Sequence, residues 1–498
     1  MVDAPLMSKL PLTESFEAGY LEHNGILPLE IDADHLRVAV VDDPPVEVLD
    51  DLEMSFGLSL DLIQVTREQL TDGIRRAFAA AESVVELVRD LDAQLGSAGE
   101  SPDTPFTDAR DLANQPPVIR FVNLLIRDAH DARASDIHLE SAREGLRARF
   151  RIDGVLTDVP SPPKGLQAAV VSRVKLLAEL DIAERRLPQD GRIRVRLEER
   201  ELDLRVSTVP TLYGESVVLR LLDRGGRPVE LDELGMGPDT LTRFKSLALK
   251  PHGILLATGP TGSGKTTTLY AALELRERSA EKIITVEDPV EYHLEGVTQV
   301  PVNRKAGVSF ASALRSLLRQ DPDVLMVGEM RDGETAEIAV QAAMTGHLVF
   351  STLHTNDAVG AIPRLADLKV ESYLVAATLE GVLAQRLVRK VCPECRELYT
   401  PDAGAVAILA QRPIGKQQLL RGRGCPACRG TGFRGRIGIF ELLVVTDELK
   451  HEITRSAPVA RLRDLAEKGG MATLKADGWA KVLAGLTTVE EVLRVTEH

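Results

Sequence analysis

The sequence predicts a multidomain α/β protein organised around a parallel sheet. With 498 residues, the chain has room for about two to four domains. From about Leu231 onward, short apolar runs alternate with helical patterns, which is typical of a parallel sheet covered by helices. The apolar run at residues 254–257 is soon followed by the segment GPTGSGKT, a glycine-rich turn of the kind that joins such a strand to a helix.

Residues 1–91 are predicted to form a small acidic α/β domain. Residues 36–41 have the pattern of a strand and residues 84–95 that of a helix, and the segment holds no catalytic constellation. Residues 92–117 are rich in Gly, Ser, Pro, Asp and Ala and lack a sustained apolar period, so we interpret them as a linker.

Residues 118–227 are predicted to form a second α/β domain. Apolar residues recur at helical spacing from Ile119 to Ala129, and residues 146–152 and 193–197 alternate as strands do. The opposite faces of these strands carry Arg147, Arg149, Arg151, Arg192, Arg194 and Arg196. A solvated strand face is the simplest explanation for most of these arginines.

Residues 228–498 are predicted to be a nucleotide-binding domain, because GPTGSGKT fits the pattern of a phosphate-binding loop. Backbone N–H groups would close around the phosphates, Lys265 would contact the β/γ oxygens and the Thr266 hydroxyl would ligate Mg²⁺. A chance glycine-rich turn is the alternative, which the preceding strand and the downstream acids disfavour. The predicted nucleotide-binding residues are Gly259, Pro260, Thr261, Gly262, Ser263, Gly264, Lys265, Thr266 and Thr267.

Acidic residues follow two further predicted strands. The strand at residues 283–286 ends in EDPVE, which contains Glu287 and Glu291, and the strand at residues 324–327 ends in Gly328-Glu329. Ligands bind at the carboxyl ends of parallel strands, so one of these glutamates should orient the hydrolytic water. His354 follows a fourth strand, at residues 348–352, and is either a sensor of the terminal phosphate or a structural hydrogen-bonding residue.

The four cysteines form two C-x-x-C pairs, CPEC and CPAC, within an insert predicted at residues 390–436. Two such pairs favour one closed structural Zn²⁺ site of four thiolates. A pair of redox dithiols and an unmetallated hairpin are the alternatives. The predicted ligands are Cys392, Cys395, Cys425 and Cys428.

Composition limits the classes of partner. A net charge of −15 and 4% aromatic residues argue against a nucleic-acid partner. No apolar run reaches the length of a membrane span, and the first ten residues have no apolar signal core. We therefore expect a cytosolic protein whose cysteines are reduced or metal-bound.

Four segments resemble the Walker A, Asp box, Walker B and His box of the secretion and type IV pilus assembly ATPases: TGPTGSGKTTTLYAAL, ITVEDPVEY, LLRQDPDVLMVGEMRD and TGHLVFSTLHTNDA. ASDIHLE, ARFRIDG, LPQDGRI and LRVSTVPTLYGESVVLRLL resemble the second N-terminal domain of that family. The resemblance spans residues 117–498. Within the family, the length, the LDIAERRLPQDGRI segment and the single short N-terminal domain are most similar to the type II secretion ATPases, with the pilus extension ATPases as close rivals.

The resemblance implies a RecA-like P-loop core preceded by a PAS-like α/β domain, and a homo-hexamer that hydrolyses ATP with Mg²⁺ to power pseudopilus assembly and protein export. It places the protein peripherally on the cytoplasmic face of the inner membrane. The implied partners are an inner-membrane platform protein and the cytosolic domain of an inner-membrane secretion protein, the latter bound through residues 1–91. A domain that packs only internally is the alternative for residues 1–91.

The resemblance also implies roles for two arginines. Arg205 and Arg220 match arginines that reach the nucleotide phosphates from the second N-terminal domain, with Arg315 and Arg319 as candidates to join them. The alternative is that Arg205 and Arg220 only pair with local acids such as Asp203 and Glu215. Two other function classes stay open, a nucleic-acid translocase and a nucleotide-binding scaffold without turnover.

Overall fold

The computed structural model describes residues 18–32, 35–42, 44–56, 58–79, 88, 113–197, 200–223, 229–401 and 419–497. The predicted helix at residues 84–95, except residue 88, and most of the predicted linker lie outside the described residues. So do residues 402–418 of the predicted cysteine insert. Within the described residues, no helix is both long enough and apolar enough to cross a membrane.

The N-terminal unit is a three-stranded sheet with helices packed on it. β2 lies between an antiparallel β1 and a parallel β3, and alternate apolar residues such as Leu36, Val38 and Val40 are fully buried in its core. The predicted strand at residues 36–41 is confirmed as β2. The elements are α1 (Ala18–Asn24), β1 (Ile26–Asp32), β2 (His35–Val40), α2 (Val46–Phe56), β3 (Ser59–Gln64) and α3 (Arg67–Ala79).

The second unit is an antiparallel six-stranded sheet in the order β6-β5-β4-β9-β8-β7. Strand alternation places one set of side chains against two helices and leaves the charged set on the opposite face. Both predicted strands are confirmed, as β5 and β7. The elements are α4 (Pro116–Asp131), β4 (Ala134–Ala142), β5 (Gly145–Ile152), β6 (Val155–Asp158), α5 (Gln167–Leu177), β7 (Gln189–Leu197), β8 (Arg200–Thr211) and β9 (Gly214–Asp223).

The third unit contains a seven-stranded sheet in the order β12-β11-β13-β14-β10-β15-β18, with apolar clusters on both faces. The pairs from β12 to β15 are parallel, and β18 runs antiparallel to β15. The four strands predicted from buried apolar runs are confirmed as β10, β11, β13 and β14. The first elements are α6 (Pro238–Ala248), β10 (Gly253–Thr258), α7 (Lys265–Leu273), β11 (Ile283–Glu287), β12 (Thr298–Pro301), α8 (Phe310–Leu317), β13 (Val324–Val327), α9 (Gly333–Met344) and β14 (Leu348–Leu353).

The remainder of the third unit adds the cysteine segment between β15 and β18 and a set of C-terminal helices. β15 leads into the first cysteine pair, β16 and β17 form a small hairpin beside it, and the chain returns through β18. Four helices then pack on one face of the sheet. These elements are α10 (Ala361–Asp367), α11 (Ser372–Thr378), β15 (Leu379–Val391), β16 (Arg396–Tyr399), β17 (Leu419–Gly422), β18 (Phe433–Val444), α12 (Asp447–Thr454), α13 (Val459–Lys468), α14 (Leu474–Leu483) and α15 (Val489–Thr496).

The second and third units contact each other at Asp153. The Gly435 N–H donates to Asp153 Oδ2 at 2.8 Å, and Arg436 Nε lies 3.6 Å from Asp153 Oδ1. Elsewhere a cleft of about 460 Å³ separates the charged face of the six-stranded sheet from Asp288 and Pro289, which directly follow β11. This cleft places the second unit beside the carboxyl edge of the larger sheet.

Candidate active site

The phosphate loop and the predicted acids meet at one edge of the seven-stranded sheet. β11, β13, β14 and β10 are consecutive parallel neighbours, so their carboxyl ends lie side by side. Glu287 is the last residue of β11, Glu329 follows β13, His354 follows β14, and the loop from Gly259 follows β10. The topology therefore brings together residues that are far apart along the chain.

The phosphate loop depends on glycine at two positions walled by β15. Gly264, with φ +87°, precedes the first residue of α7, and a Cβ there would lie 2.8 Å from Gln385 Nε2. Gly259, with φ +148°, would place a Cβ 2.5 Å from the Gln385 carbonyl oxygen. Thr268 Oγ1 donates to Gln385 Oε1 at 2.7 Å, which fixes the same glutamine. Larger residues at either glycine would push the loop away from its supporting strand.

Lys265 is buried in the loop. Its Nζ donates to the carbonyl oxygens of Gly259 at 2.8 Å and Pro260 at 3.0 Å. Burial lowers the pKa of Lys265 to about 8, against the opposing charge of Glu329. The ammonium group is therefore held by neutral acceptors that a phosphate oxygen can replace.

Glu329 lies at the phosphate edge between two cationic or titratable side chains. Its side chain is 15% exposed, with Arg331 Nε at 2.7 Å and His354 Nε2 at 3.4 Å. Both contacts use Oε2 of the carboxylate, so Oε1 is the oxygen that can accept a hydrogen bond from water. His354 thus lies beside the carboxylate of Glu329 at the phosphate edge.

The carboxylate of Glu287 lies below that edge, where other side chains hydrogen-bond to it. The carboxylate is 2% exposed and accepts hydrogen bonds from Tyr270 Oη, from Thr285 Oγ1 at 2.6 Å and from Gln299 Nε2 at 3.2 Å. Burial, reinforced by the charge of Glu287, raises the pKa of Tyr270, so the phenol stays a donor. This network occupies both carboxylate oxygens and holds the strand end in place.

The two predicted arginines of the second unit face the acids of the third. Arg205 and Arg220 line the interdomain cleft with Asp288, and both lower the pKa of Glu291, which burial raises. Burial likewise lowers the pKa of Arg205, with Glu291 opposing the shift. The arrangement places guanidinium groups and a carboxylate within electrostatic reach across the cleft.

The local acids named as alternative partners are not the ones that bind Arg220. Arg220 Nε donates to Asp136 Oδ1 at 3.0 Å, whereas the carboxylate of Glu215 pairs with Lys175. The reason is strand order, since β4 rather than the start of β9 lies beside Arg220. Arg315 and Arg319 have partners of their own: Arg315 pairs with Glu334 at 2.5 Å, and Arg319 donates to the Arg315 carbonyl oxygen at 2.8 Å.

Sequence reasoning missed Arg386, a buried arginine on β15. It is 7% exposed, and its Nη2 donates to the Asn356 carbonyl oxygen at 3.1 Å. Its Nη1 has no partner among the described residues and lies 3.1 Å from where a Cβ on Gly259 would be. The signal in the sequence was a Gln-Arg pair inside the apolar run of β15, where an arginine is costly unless it serves a site.

The four cysteines come together in a geometry that fits Zn²⁺. Their sulfur atoms lie within 4.8 Å of one another, with Sγ separations of 3.9 Å for Cys392–Cys425, 3.8 Å for Cys395–Cys428 and 3.7 Å for Cys425–Cys428. Tetrahedral zinc with Zn–S bonds of about 2.3 Å separates its sulfurs by about 3.8 Å. The backbone N–H groups of Cys425 and Gly432 donate to Cys428 Sγ at 3.1 and 3.2 Å, which stabilises a thiolate.

Two family models match this chain. Residues 111–494 match the model described as Type II/IV secretion system protein, and residues 3–84 match that of the MshEN domain. The chain is 47% identical over 491 residues to the Type II secretion system protein E of Xanthomonas campestris pv. campestris, covering 98% of this chain and 86% of that protein. It is 46% identical over 431 residues to the Type II secretion system ATPase E of Vibrio cholerae serotype O1, covering 86% and 85%.

Two solved structures are similar to this fold. The pilus retraction motor PilT with bound ADP matches with a TM-score of 0.51 and 26% identity, over 75% of this chain and 96% of that one. The DotB ATPase of Legionella pneumophila matches with a TM-score of 0.56 over 79% of this chain and 97% of that one. At 20% identity, the likeness to DotB concerns the fold alone.

Proposed function

We propose that this chain, which belongs to the Type II/IV secretion system protein family, is the hexameric ATPase that powers pseudopilus assembly in type II secretion. The chain is an ATP hydrolase of the P-loop class, a multidomain α/β protein like the other members of that family. The observation that supports the proposed chemistry best is the edge that joins Lys265 of the phosphate loop to Glu329 and His354. The reaction is phosphoryl transfer from ATP to water.

The loop residues 259–267 would hold the phosphates of ATP. Backbone N–H groups at the start of α7 donate to phosphate oxygens, and Lys265 exchanges its loop carbonyls for the β/γ oxygens. Mg²⁺ bound with ATP would neutralise developing charge on the phosphates, with Thr266 as its protein ligand. The loop thus binds and orients ATP without taking part in bond breaking.

Glu329 would orient the attacking water. Arg331 and His354 both contact Oε2 and so hold the carboxylate in one orientation. Oε1 would then accept a hydrogen bond from the water. His354 would sense the terminal phosphate through the same carboxylate. Glu287 acts through Tyr270 and Gln299 as a positioning residue. Glu291 would interact electrostatically with Arg205 and Arg220 of the second unit.

Arg205 and Arg220 would reach the phosphates when the second unit closes over the loop. A guanidinium fork suits phosphate oxygens, and an arginine finger contributes orders of magnitude in rate. Closure driven by ATP and released after hydrolysis is then the power stroke. Assembly into a hexamer organises these motions around a ring.

Zn²⁺ held by Cys392, Cys395, Cys425 and Cys428 would be structural, because four thiolates leave no position open for water. The gathering of all four sulfurs into one cluster, each within 4.8 Å of the others, supports this assignment over two separate redox dithiols. The Asp153 contact with Gly435 connects the edge of this insert to the second unit. The metal would thereby help to fix that interdomain contact.

The proposed setting is the cytoplasmic face of the inner membrane. Residues 1–91 would bind the cytosolic domain of an inner-membrane secretion protein, and the ring would act on an inner-membrane platform protein. No nucleic-acid partner is proposed, because the chain carries a net charge of −15. An extension motor of type IV pili is the second candidate, and the similarity to the retraction motor PilT supports keeping it.

Phosphate release from ATP, measured on monomeric full-length protein and on the same chain fused to a hexamer-forming partner, tests the proposal. Monomers should turn over slowly and forced hexamers faster. Absence of Mg²⁺-dependent phosphate release from forced hexamers would contradict an ATPase. A gene deletion that abolishes pilus extension but leaves protein export intact would favour the second candidate.

A further inference from the structure

Three arginines stand side by side on adjacent strands of the second unit. Arg192 on β7 is directly opposite Arg205 on β8, and Arg205 is directly opposite Arg220 on β9. All three line the cleft that faces Asp288 and Pro289. Like charges in directly opposed positions destabilise a sheet, so a row of this kind needs compensating negative charge.

Among the described residues, the ion pair between this row and a carboxylate of the second unit lies at one end of the row. Asp136 on β4 is opposite Arg220 and contacts it at 3.0 Å, and it also lies 3.8 Å from Arg151 on its other side. Arg205 Nε, in contrast, has no hydrogen-bond partner among the described residues. One carboxylate therefore serves two arginines, and the other end of the row is left without a comparable partner.

Arg192 forms that other end. Its side chain is exposed in the cleft, and within the described residues it has neither an ion pair nor a hydrogen bond. Asp190, two residues earlier on the same strand, lines the same cleft but forms no ion pair with it in the described structure. The next position along the strand differs: Arg194 is directly opposite Asp203, a carboxylate.

The row faces the acidic segment at residues 287–291, which begins at the last residue of β11. Arg205 and Arg220 both act electrostatically on Glu291, and Asp288, which follows Glu287 in the chain, forms part of the opposite wall. Three neighbouring strands span roughly 10 Å between the outer two. A polyanion that reached this cleft could therefore contact several guanidinium groups at once.

We infer that Arg192 is a third phosphate-binding residue, which completes with Arg205 and Arg220 a cross-strand row for the triphosphate of ATP. This inference rests on the proposed function, because the polyanion brought to this edge is the nucleotide on the phosphate loop. Arg220 is held in place by Asp136, whereas Arg192 and Arg205 are the two groups whose charge the phosphates would compensate.

Steady-state ATP hydrolysis by forced hexamers of full-length Arg192→Ala, Arg192→Lys, Arg205→Ala and Arg194→Ala tests this inference. Losing one charge-assisted contact to phosphate should lower kcat/KM by about 10- to 100-fold in Arg192→Ala. Arg192→Lys should recover part of the loss, because it keeps the charge without the planar fork. Arg194→Ala, on the same strand and face, is the matched control and should stay within about twofold of wild type.

Binding of inorganic tripolyphosphate supplies a readout that does not depend on turnover. Arg192→Ala should keep the wild-type midpoint of thermal unfolding without ligand and lose part of the upward shift that tripolyphosphate produces. If Arg192→Ala itself lowers the midpoint, Arg192→Gln, which keeps an unbranched polar side chain but removes the charge, replaces it. Wild-type kcat/KM and an undiminished shift in the Arg192 variants, beside a defective Arg205→Ala, would overturn the inference and leave the proposed function standing. A wild-type protein without turnover would instead overturn the proposed function.

Discussion

Glu287 and Glu329 both end strands at the phosphate edge, yet their surroundings separate their roles. Hydrogen bonds from Tyr270, Thr285 and Gln299 occupy the carboxylate of Glu287, while Glu329 keeps Oε1 for a water molecule. We expect Glu329→Gln to keep nucleotide binding at neutral pH and to lower kcat by about 100-fold or more, since the attacking water loses its carboxylate. Fluorescent-nucleotide binding and phosphate release measure the two effects.

Glu287→Gln is the matched comparison at the neighbouring strand end. It should lower the free energy of unfolding by about 1–3 kcal/mol, because a buried acceptor of Tyr270 is replaced by an amide. Lys265→Ala should abolish nucleotide binding and serves as the negative control of the binding assay. Wild-type kcat in Glu329→Gln would show that Glu329 does not orient the water, and Glu291 would become the candidate for that role.

The pH dependence of nucleotide binding follows from Lys265. Burial lowers the pKa of Lys265 to about 8 in the protein without nucleotide. Bound phosphate favours the charged ammonium, so the pKa of Lys265 is higher in the complex. Affinity should therefore be flat below about pH 8 and fall by up to about tenfold per pH unit above it, until the pKa of the complex is reached. Titration calorimetry between pH 7 and pH 9.5 measures this.

Glu329→Gln provides a control for that assignment. The charge of Glu329 raises the pKa of Lys265, and removing that charge should move the onset of the loss to lower pH. An onset that does not move, or an affinity that is flat to pH 9.5, would show that Lys265 does not titrate in this range.

At the scale of single residues, the sequence predicts what is local. The phosphate-loop residues and the cysteine pairs follow from spacing alone, because their partners are a few residues away or of the same type. Arg220 and its partner Asp136 lie far apart in the chain and meet only because β4 pairs with β9. Arg386 was missed for the same reason, since its position beside the phosphate loop depends on β15 lying beside β10.

The cysteine insert is the element in which a bound ion should matter most for stability. Cys392 and Cys395 follow the end of β15 and Cys425 and Cys428 precede β18, so a shared ion would join the ends of two long antiparallel strands. We expect about one Zn²⁺ per chain in protein purified without chelator. Elemental analysis measures the metal, and its absence would contradict the site.

Cys395→Ser should lower the midpoint of thermal unfolding or weaken ring assembly while the phosphate site keeps its affinity for nucleotide. Lys265→Ala is the reciprocal control, with zinc retained and nucleotide binding lost. A Cys395→Ser protein that keeps its zinc and its stability would show that four thiolates are not required.

At the scale of elements, apolar patterns predicted the strands around the phosphate loop because each is a short, fully buried run. Their order in the sheet was beyond such reasoning. That order decides that β10 lies between β14 and β15, and hence that Gln385 walls the loop. The contact of Asp153 with Gly435 was equally out of reach, since it depends on how two separate units pack.

At the scale of the whole molecule, the proposed membrane setting requires a surface that binds a membrane partner; no helix among the described residues has the length and apolar character to cross a membrane. The N-terminal unit has its own apolar core, and several apolar side chains point to solvent outside that core. Val46 and Met54 on α2 are 68% and 80% exposed, and Leu62 on the edge strand β3 is 43% exposed. Such residues, beside a strand edge that pairs with no other strand in the described part of the chain, are suited to binding a partner.

Deleting residues 1–91 should therefore release the protein from membranes while nucleotide binding persists, because the phosphate loop lies in a different unit. Met54→Glu is a sharper test, since a charge at a highly exposed position should leave the fold intact and weaken only docking. Leu398→Glu, which places the same charge at a 60% exposed leucine of the cysteine insert, is the matched control. Membrane flotation of cell lysates measures recruitment. Undiminished flotation of the deletion would mean that residues 1–91 only pack within the protein and that another unit carries the docking surface.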